Sequence, residues 1–143
     1  MAAPWLNLSP GSIDAAEPRI FDRVDAEPGP FVSARIQRWI GRYGKAGADV
    51  IRSAPGARIG ATPWWEGELH WILANEMVEH LDDLMLRRTR LGNILPGGGR
   101  EILDQIGRIC QARLGWDAQR WDRECERYLD IIRRYFSLPE DGQ

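Results

Sequence analysis

The side chains of this sequence best equipped for chemistry lie close together. Arg87, Arg88 and Arg90 put three guanidinium groups into four consecutive positions, just after Asp83 and just before Gly92. Guanidinium pairs bidentately with phosphate and carboxylate. The cluster can therefore grip a phosphate ester, dock on another protein surface, or neutralise acids of its own domain. Asp83 stands one helical turn ahead of Arg87, an acid-before-base spacing that stabilises a helix by a few tenths of a kcal/mol. Positive charge in a last helical turn gains roughly 0.3–1 kcal/mol from the helix dipole. Successive helical residues are about 100° apart, so three such arginines cannot share a face. At least one is expected to turn toward the protein and meet a carboxylate or a carbonyl. All three readings of the cluster stay open at this level.

Other candidate chemistry is weaker. Gly97–Gly98–Gly99 precede a helix, and helix N-termini attract anions, but the lysine and hydroxyl of a phosphate-binding loop are missing and no strand leads in. A flexible turn is expected there. Glu76 and His80 are one turn apart, with His70 and Glu79 nearby, yet no Glu-x-x-His pair occurs, so a metal centre is not expected. Cys110 and Cys125 fall on apolar stripes and read as small core residues. The pair Trp64–Trp65 can be a docking patch or a cover for the core. No nucleophile elbow and no paired carboxylates stand out.

These residues must be positioned by helices, because the apolar pattern has a helical period throughout. Ile36, Trp39, Ile40 and Tyr43 form a face with Ser33 as cap and Gly44 as stop. A short helix is expected over Ala46–Ile51, ended by Pro55–Gly56. Thr62–Pro63 reads as a cap followed by a first-turn proline. Beyond it Leu69, Ile72, Leu73, Met77, Leu81, Leu84 and Met85 hold one stripe to Leu91, as one helix of about 25 residues, about 37 Å long, or as two broken near Glu79–His80. A loop at Asn93–Gly99 follows. Ile102 to Leu114 forms the next helix, stopped by Gly115. Asp117 caps the last, which carries Trp121, Cys125, Tyr128, Leu129, Ile132, Tyr135 and Phe136 and ends at Leu138–Pro139. The predicted fold is all-α, a compact bundle of four to six helices over residues 33–137. A proline-rich arm or linker at 1–32 and a short tail at 138–143 flank it.

With 143 residues, 43% hydrophobic and 28% charged, the sequence fits one globular domain. Residues 1–86 carry 12 acids and 8 bases, and residues 87–134 carry 7 and 11. That swing is too mild for a nucleic-acid partner. No apolar run approaches the ~18 residues of a membrane span, and no signal peptide is visible. A reducing, cytoplasmic setting is the expectation for two cysteines without a framework.

The run NEMVEHLDDLMLRRTRLG, followed by LGWDAQRWDRECERY, resembles the C-terminal helical domain of FAD-dependent glycerol-3-phosphate dehydrogenases and alpha-glycerophosphate oxidases. Tyr43–Gly44, Glu68–Leu69, Glu76–Met77, Asp83, Arg87 to Leu91, Leu114 to Asp117, Glu124 and Tyr128 carry the resemblance, over about residues 33–136. Two departures stand out: His80–Leu81 replaces a common threonine or serine, which weakens the expectation of a capped helix restart, and the loop NILPGGGRE replaces an Asp/Ala-containing connection. The resemblance implies enzymes that oxidise glycerol 3-phosphate with FAD, held mainly by an N-terminal body that this sequence lacks. It implies a cap that is not catalytic alone, acts with a flavoprotein body, and binds no cofactor itself. Asp83, Arg87, Arg88, Arg90, Trp116 and Asp117 are then structural or docking residues. The alternatives are an independent helical module for interaction or self-association, and a small phosphate-binding sensor.

Overall fold

The computed structural model describes residues 33–136. The arm and tail expected at 1–32 and 138–143, with the stop at Leu138–Pro139, lie outside the described residues. Within them the chain is all-α. Helices α1 (Ala34–Ser53), α2 (Glu66–Asn75), α3 (Leu91–Ile94), α4 (Leu103–Leu114) and α5 (Ala118–Tyr135) are joined by a π-helical segment, Asp83–Arg88, and a 3-10 segment, Pro96–Ile102. The described residues form no strand, only an isolated antiparallel bridge between Arg58 and Trp65.

Ser33 caps α1, its hydroxyl accepting the Ile36 N–H at 3.4 Å. Gly44 interrupts α1 as expected: at φ 67°, ψ 180° it is non-helical and divides the span into two runs meeting at a kink, the second reaching Ser53, two residues beyond the expected Ile51. The bend lets Trp39 ahead of it and Ala48 and Ile51 behind it share one small core with Trp65 and Trp71. A Cβ on Gly47 would lie 2.6 Å from Tyr43 Cβ and 3.0 Å from the Trp71 ring. Glycine is what allows α1 and α2 to approach so closely.

Thr62–Pro63 does not start α2. The Thr62 hydroxyl donates to the Ile59 carbonyl at 2.6 Å and accepts the Trp64 N–H at 3.2 Å, which consumes it in a tight turn. The helix begins at Glu66 after the cap residue Trp65, whose N–H is taken by Glu68 Oε2 at 3.1 Å. The acid at the third helical position thus supplies one half of a capping box, accepting the cap residue's own N–H, a different donor from those the threonine was expected to satisfy. Trp64 is buried in the main core, while Trp65 is half-buried beneath the guanidinium of Arg35.

The long apolar stripe resolves into the two-helix alternative. α2 ends at Asn75, and Glu76 is already extended at φ −120°, ψ 151°. Met77, placed on the stripe by spacing, falls in the break and is 80% exposed. After this elbow the chain winds again, and Leu84 and Met85 re-enter the core. Winding is wide here: Thr89 N–H bonds the Leu84 carbonyl at 3.0 Å, five residues back, and the Thr89 hydroxyl donates to the same carbonyl at 2.7 Å.

The expected loop at Asn93–Gly99 is more ordered than its composition suggests. Asn93 lies inside α3, and the glycines follow in left-handed conformation at φ 57°, 71° and 74°. Gly98 and Gly99 are buried, and the Tyr128 hydroxyl donates to the Gly98 carbonyl at 2.5 Å. A Cβ on Gly98 would press to 2.6 Å from Ile132. The run is a packed corner, not a flexible turn. α4 stops at Gly115 in left-handed conformation, and Asp117 caps α5 by accepting the Arg120 N–H at 2.6 Å. Leu69 and Ile72 of α2, Ile106 and Cys110 of α4, and Tyr128 and Ile132 of α5 then close on the π segment in one core.

Candidate functional site

The arginine run, the elbow and α5 meet in one polar cluster built around two buried carboxylates. Asp82, on the last turn of chain before the π segment, is 3% exposed at its side chain and accepts from Arg87 at 2.9 Å. It also accepts from Arg127 of α5. Glu124 of α5 is equally buried and reaches back the other way. It accepts the Leu81 N–H at 2.9 Å, pairs with Arg120 at 2.9 Å and meets His80 Nδ1 at 3.0 Å. Each of the two elements therefore inserts one acid into the other's donors. A carboxylate taken from water is stable only when so paired.

Asp83 completes the elbow. Its Oδ2 accepts the N–H groups of Glu79 at 3.1 Å and His80 at 2.9 Å, and its Oδ1 meets Arg87. Burial alone would push this carboxyl up, but the two backbone donors and Arg87 outweigh it, and the group sits below its ordinary value. The helix restart at Leu81 is therefore capped, although no threonine or serine stands there. Asp83 caps it from inside the turn, and Glu124 caps it from another helix.

The predicted cluster divides. Arg87 spans Asp82 and Asp83 while staying 62% exposed. Arg88 turns back, its Nε and Nη2 donating to the Met77 carbonyl at 3.3 and 3.1 Å beside Glu76 at 3.4 Å. Arg87 and Arg88 thus meet the carboxylates and the carbonyl expected of inward-turning arginines, but it is Asp82 that is buried, while the guanidiniums stay at the rim, where water still solvates them. Arg90 is different. It is the one non-glycine among the described residues with positive φ, at 58°, and its exposed side chain has no hydrogen-bond or ion-pair partner there. Trp116 stacks 6.4 Å from Trp121, with the Arg120 guanidinium 5.6 Å over its ring. Arg120 also donates to the Glu79 carbonyl at 3.3 Å, which ties Trp116 and Asp117 to the elbow.

Asp82, Glu124, His80 and Arg127 were missed as a site. Glu124 was legible: it is three residues past Trp121 and four before Tyr128, so helical spacing places a carboxylate on the buried face. A second polar knot was missed too. Glu68, fully buried, takes Arg38 at 2.6 Å and the Tyr43 hydroxyl at 3.2 Å, linking α1 to α2.

The residues weighed for metal binding are engaged separately. His70 accepts from Arg113 Nε at 3.0 Å, Glu76 faces Arg88, and His80 meets Glu124. Burial pushes the Cys110 thiol up to about 12 and the half-buried Cys125 thiol up to about 11. Neither is a nucleophile at neutral pH. A flavin dinucleotide needs a glycine turn open to its pyrophosphate at the end of a strand. The glycine corner here does not fit one, since Ile132 and the Tyr128 hydroxyl already occupy the approach to Gly98. No helix among the described residues is long and apolar enough to cross a membrane.

Residues 10–121 match the family described as the C-terminal domain of alpha-glycerophosphate oxidase. The match takes in part of the proline-rich stretch and ends early in α5. Glycerol-3-phosphate dehydrogenase 2 of Mycobacterium bovis and its namesake in Mycobacterium tuberculosis are each 28% identical over 101 residues, 66% of this chain. The aligned part spans 17% of those relatives' length. No solved structure matches. With an all-helical fold among the described residues and a family match over most of its length, the chain belongs to the family of alpha-glycerophosphate oxidase C-terminal domains.

Proposed function

We propose that this domain is a helical cap that works against a flavin-bearing body in glycerol 3-phosphate oxidation and performs no chemistry alone. FAD and substrate belong to that body. The reading is supported above all by how the polar cluster is spent. Asp82, Asp83, Glu124, Arg87 and Arg88 are satisfied by one another and by backbone groups, which leaves none of them poised toward a reacting molecule. Their role is to hold the elbow and α5 together. Arg90 is left over, and its outward guanidinium is assigned to docking.

Co-expression with a flavin-binding body lacking its own C-terminal domain tests this. A stable complex that reduces an artificial acceptor with glycerol 3-phosphate is expected, and the Arg90→Gly variant should bind the body several-fold more weakly. The purified chain should be colourless and inactive. Bound yellow flavin or turnover by the chain alone overturns the proposal. The phosphate-sensor alternative is tested by titrating inorganic phosphate against tryptophan fluorescence, where no change is expected.

A further inference from the structure

Outside the polar cluster, the outer face of α5 carries a second concentration of charge. A surface cleft of about 600 Å³ runs between the end of the glycine corner and α5. Arg100 and Arg123 face it with no acid partner among the described residues, Arg127 stands beside them, and Arg133 and Arg134 share Asp130. With Glu126 and Asp130 the only acids, five bases against two leave a net charge of +3. An apolar groove lined by Leu95, Pro96, Ile132 and Phe136 shares the same helix. A basic cleft and an apolar groove thus both border α5.

One stretch of this chain has the complementary chemistry. Residues 1–32 hold five acids (Asp14, Glu17, Asp22, Asp25 and Glu27) against Arg19 and Arg23, a net charge of −3. Ile20, Phe21 and Val24 are interleaved with those acids. The stretch joins the described residues at Ser33, and the chain reaches at most about 3.3–3.6 Å per residue, so length does not keep it from α5. The family match begins at residue 10, so the acid-bearing part belongs to the domain's own matched region.

We infer that the basic cleft of α5 is the seat of the acidic segment 14–27 of the same chain. Arg100 and Arg123 take its carboxylates, and the apolar groove takes its hydrophobic residues. The cleft is then an intramolecular clasp and is not open to other anions.

Lys45 is the one lysine in the sequence, which makes carbodiimide coupling a clean test. In the full chain carrying Arg123→Lys, the new amine should form zero-length amide links to Asp22, Asp25 or Glu27, mapped by peptide mass spectrometry. The yield should fall several-fold in about 1 M salt, where screening acts within about 3 Å. It should also fall when Asp22→Asn, Asp25→Asn and Glu27→Gln are added, with helical circular dichroism unchanged in each variant. Links confined to Asp122, Glu126 or Asp130 overturn the inference. So do links between two chains, which would make a second copy the occupant.

Discussion

Arg90 holds a conformation that an L-residue adopts at a cost of roughly 1–2 kcal/mol. It follows the π segment where a helix ordinarily places glycine. Replacing it with glycine removes the strain and no internal bond, so Arg90→Gly should raise stability by about 0.5–1 kcal/mol by urea denaturation. A loss would mean that the side chain serves the fold. Asp83 makes a second residue-scale prediction. Its carboxyl is lowered in the folded chain, so its contribution is complete above the ordinary carboxylate value and is lost as pH falls through the lowered one. Glu66, lowered by its bonds to Gln105 and the Ala57 N–H, acts in the same direction. Acid denaturation below about pH 4 should therefore be shallower in Asp83→Asn than in the parent chain. His70, lowered by burial and by Arg113, adds stability above its unfolded value, and this is lost as pH falls below about 6.5. His70→Gln should flatten that part of the profile.

At the scale of elements, the clamp between elbow and α5 is the feature that mutation should expose. Glu124→Gln leaves Arg120 and the Leu81 N–H facing a neutral amide in a buried site, and about 3 kcal/mol of stability should be lost. Gly98→Ala combines positive φ with a clash against Ile132 and should cost at least about 2 kcal/mol. Thermal unfolding followed by circular dichroism reads both. Much of this level was legible in the sequence. Ser33, Asp117 and Gly115 signal their helix ends through chemistry that is complete within a few residues. Thr62, the elbow cap and the glycine corner were not legible: Thr62 has a rival acceptor within its own turn, and the partners of the other two come from α5. The Thr62 hydroxyl is captured by a carbonyl in its own turn, Leu81 is capped by Glu124, and Gly98 is packed by α5. Of the site, the Asp83–Arg87 pair could be read from spacing. The pairing of Asp82 with Arg127 depends on how two helices dock, and no local pattern encodes it.

For the whole molecule, two polar knots accompany two apolar cores, the small one of α1 and α2 and the main one around the π segment. Glu68 with Arg38 and Tyr43 fastens α1 to α2, and the Asp82–Glu124 cluster fastens α5 to the elbow. The chain should consequently unfold in one transition, with tryptophan fluorescence and circular dichroism giving coincident midpoints in urea. Separate midpoints would show that the α1–α2 core melts independently.

The elbow at residues 76–81 has a consequence for how the chain is made. Two of its backbone groups are held by Arg120 and Glu124, some forty residues downstream. A ribosome extrudes α2 and the π segment while those latches are still untranslated. Until α5 emerges, the bend has Asp83 and Arg88 to fix it. The native bend therefore waits on α5, and a stall before Arg120 would release a polypeptide with its hinge unset.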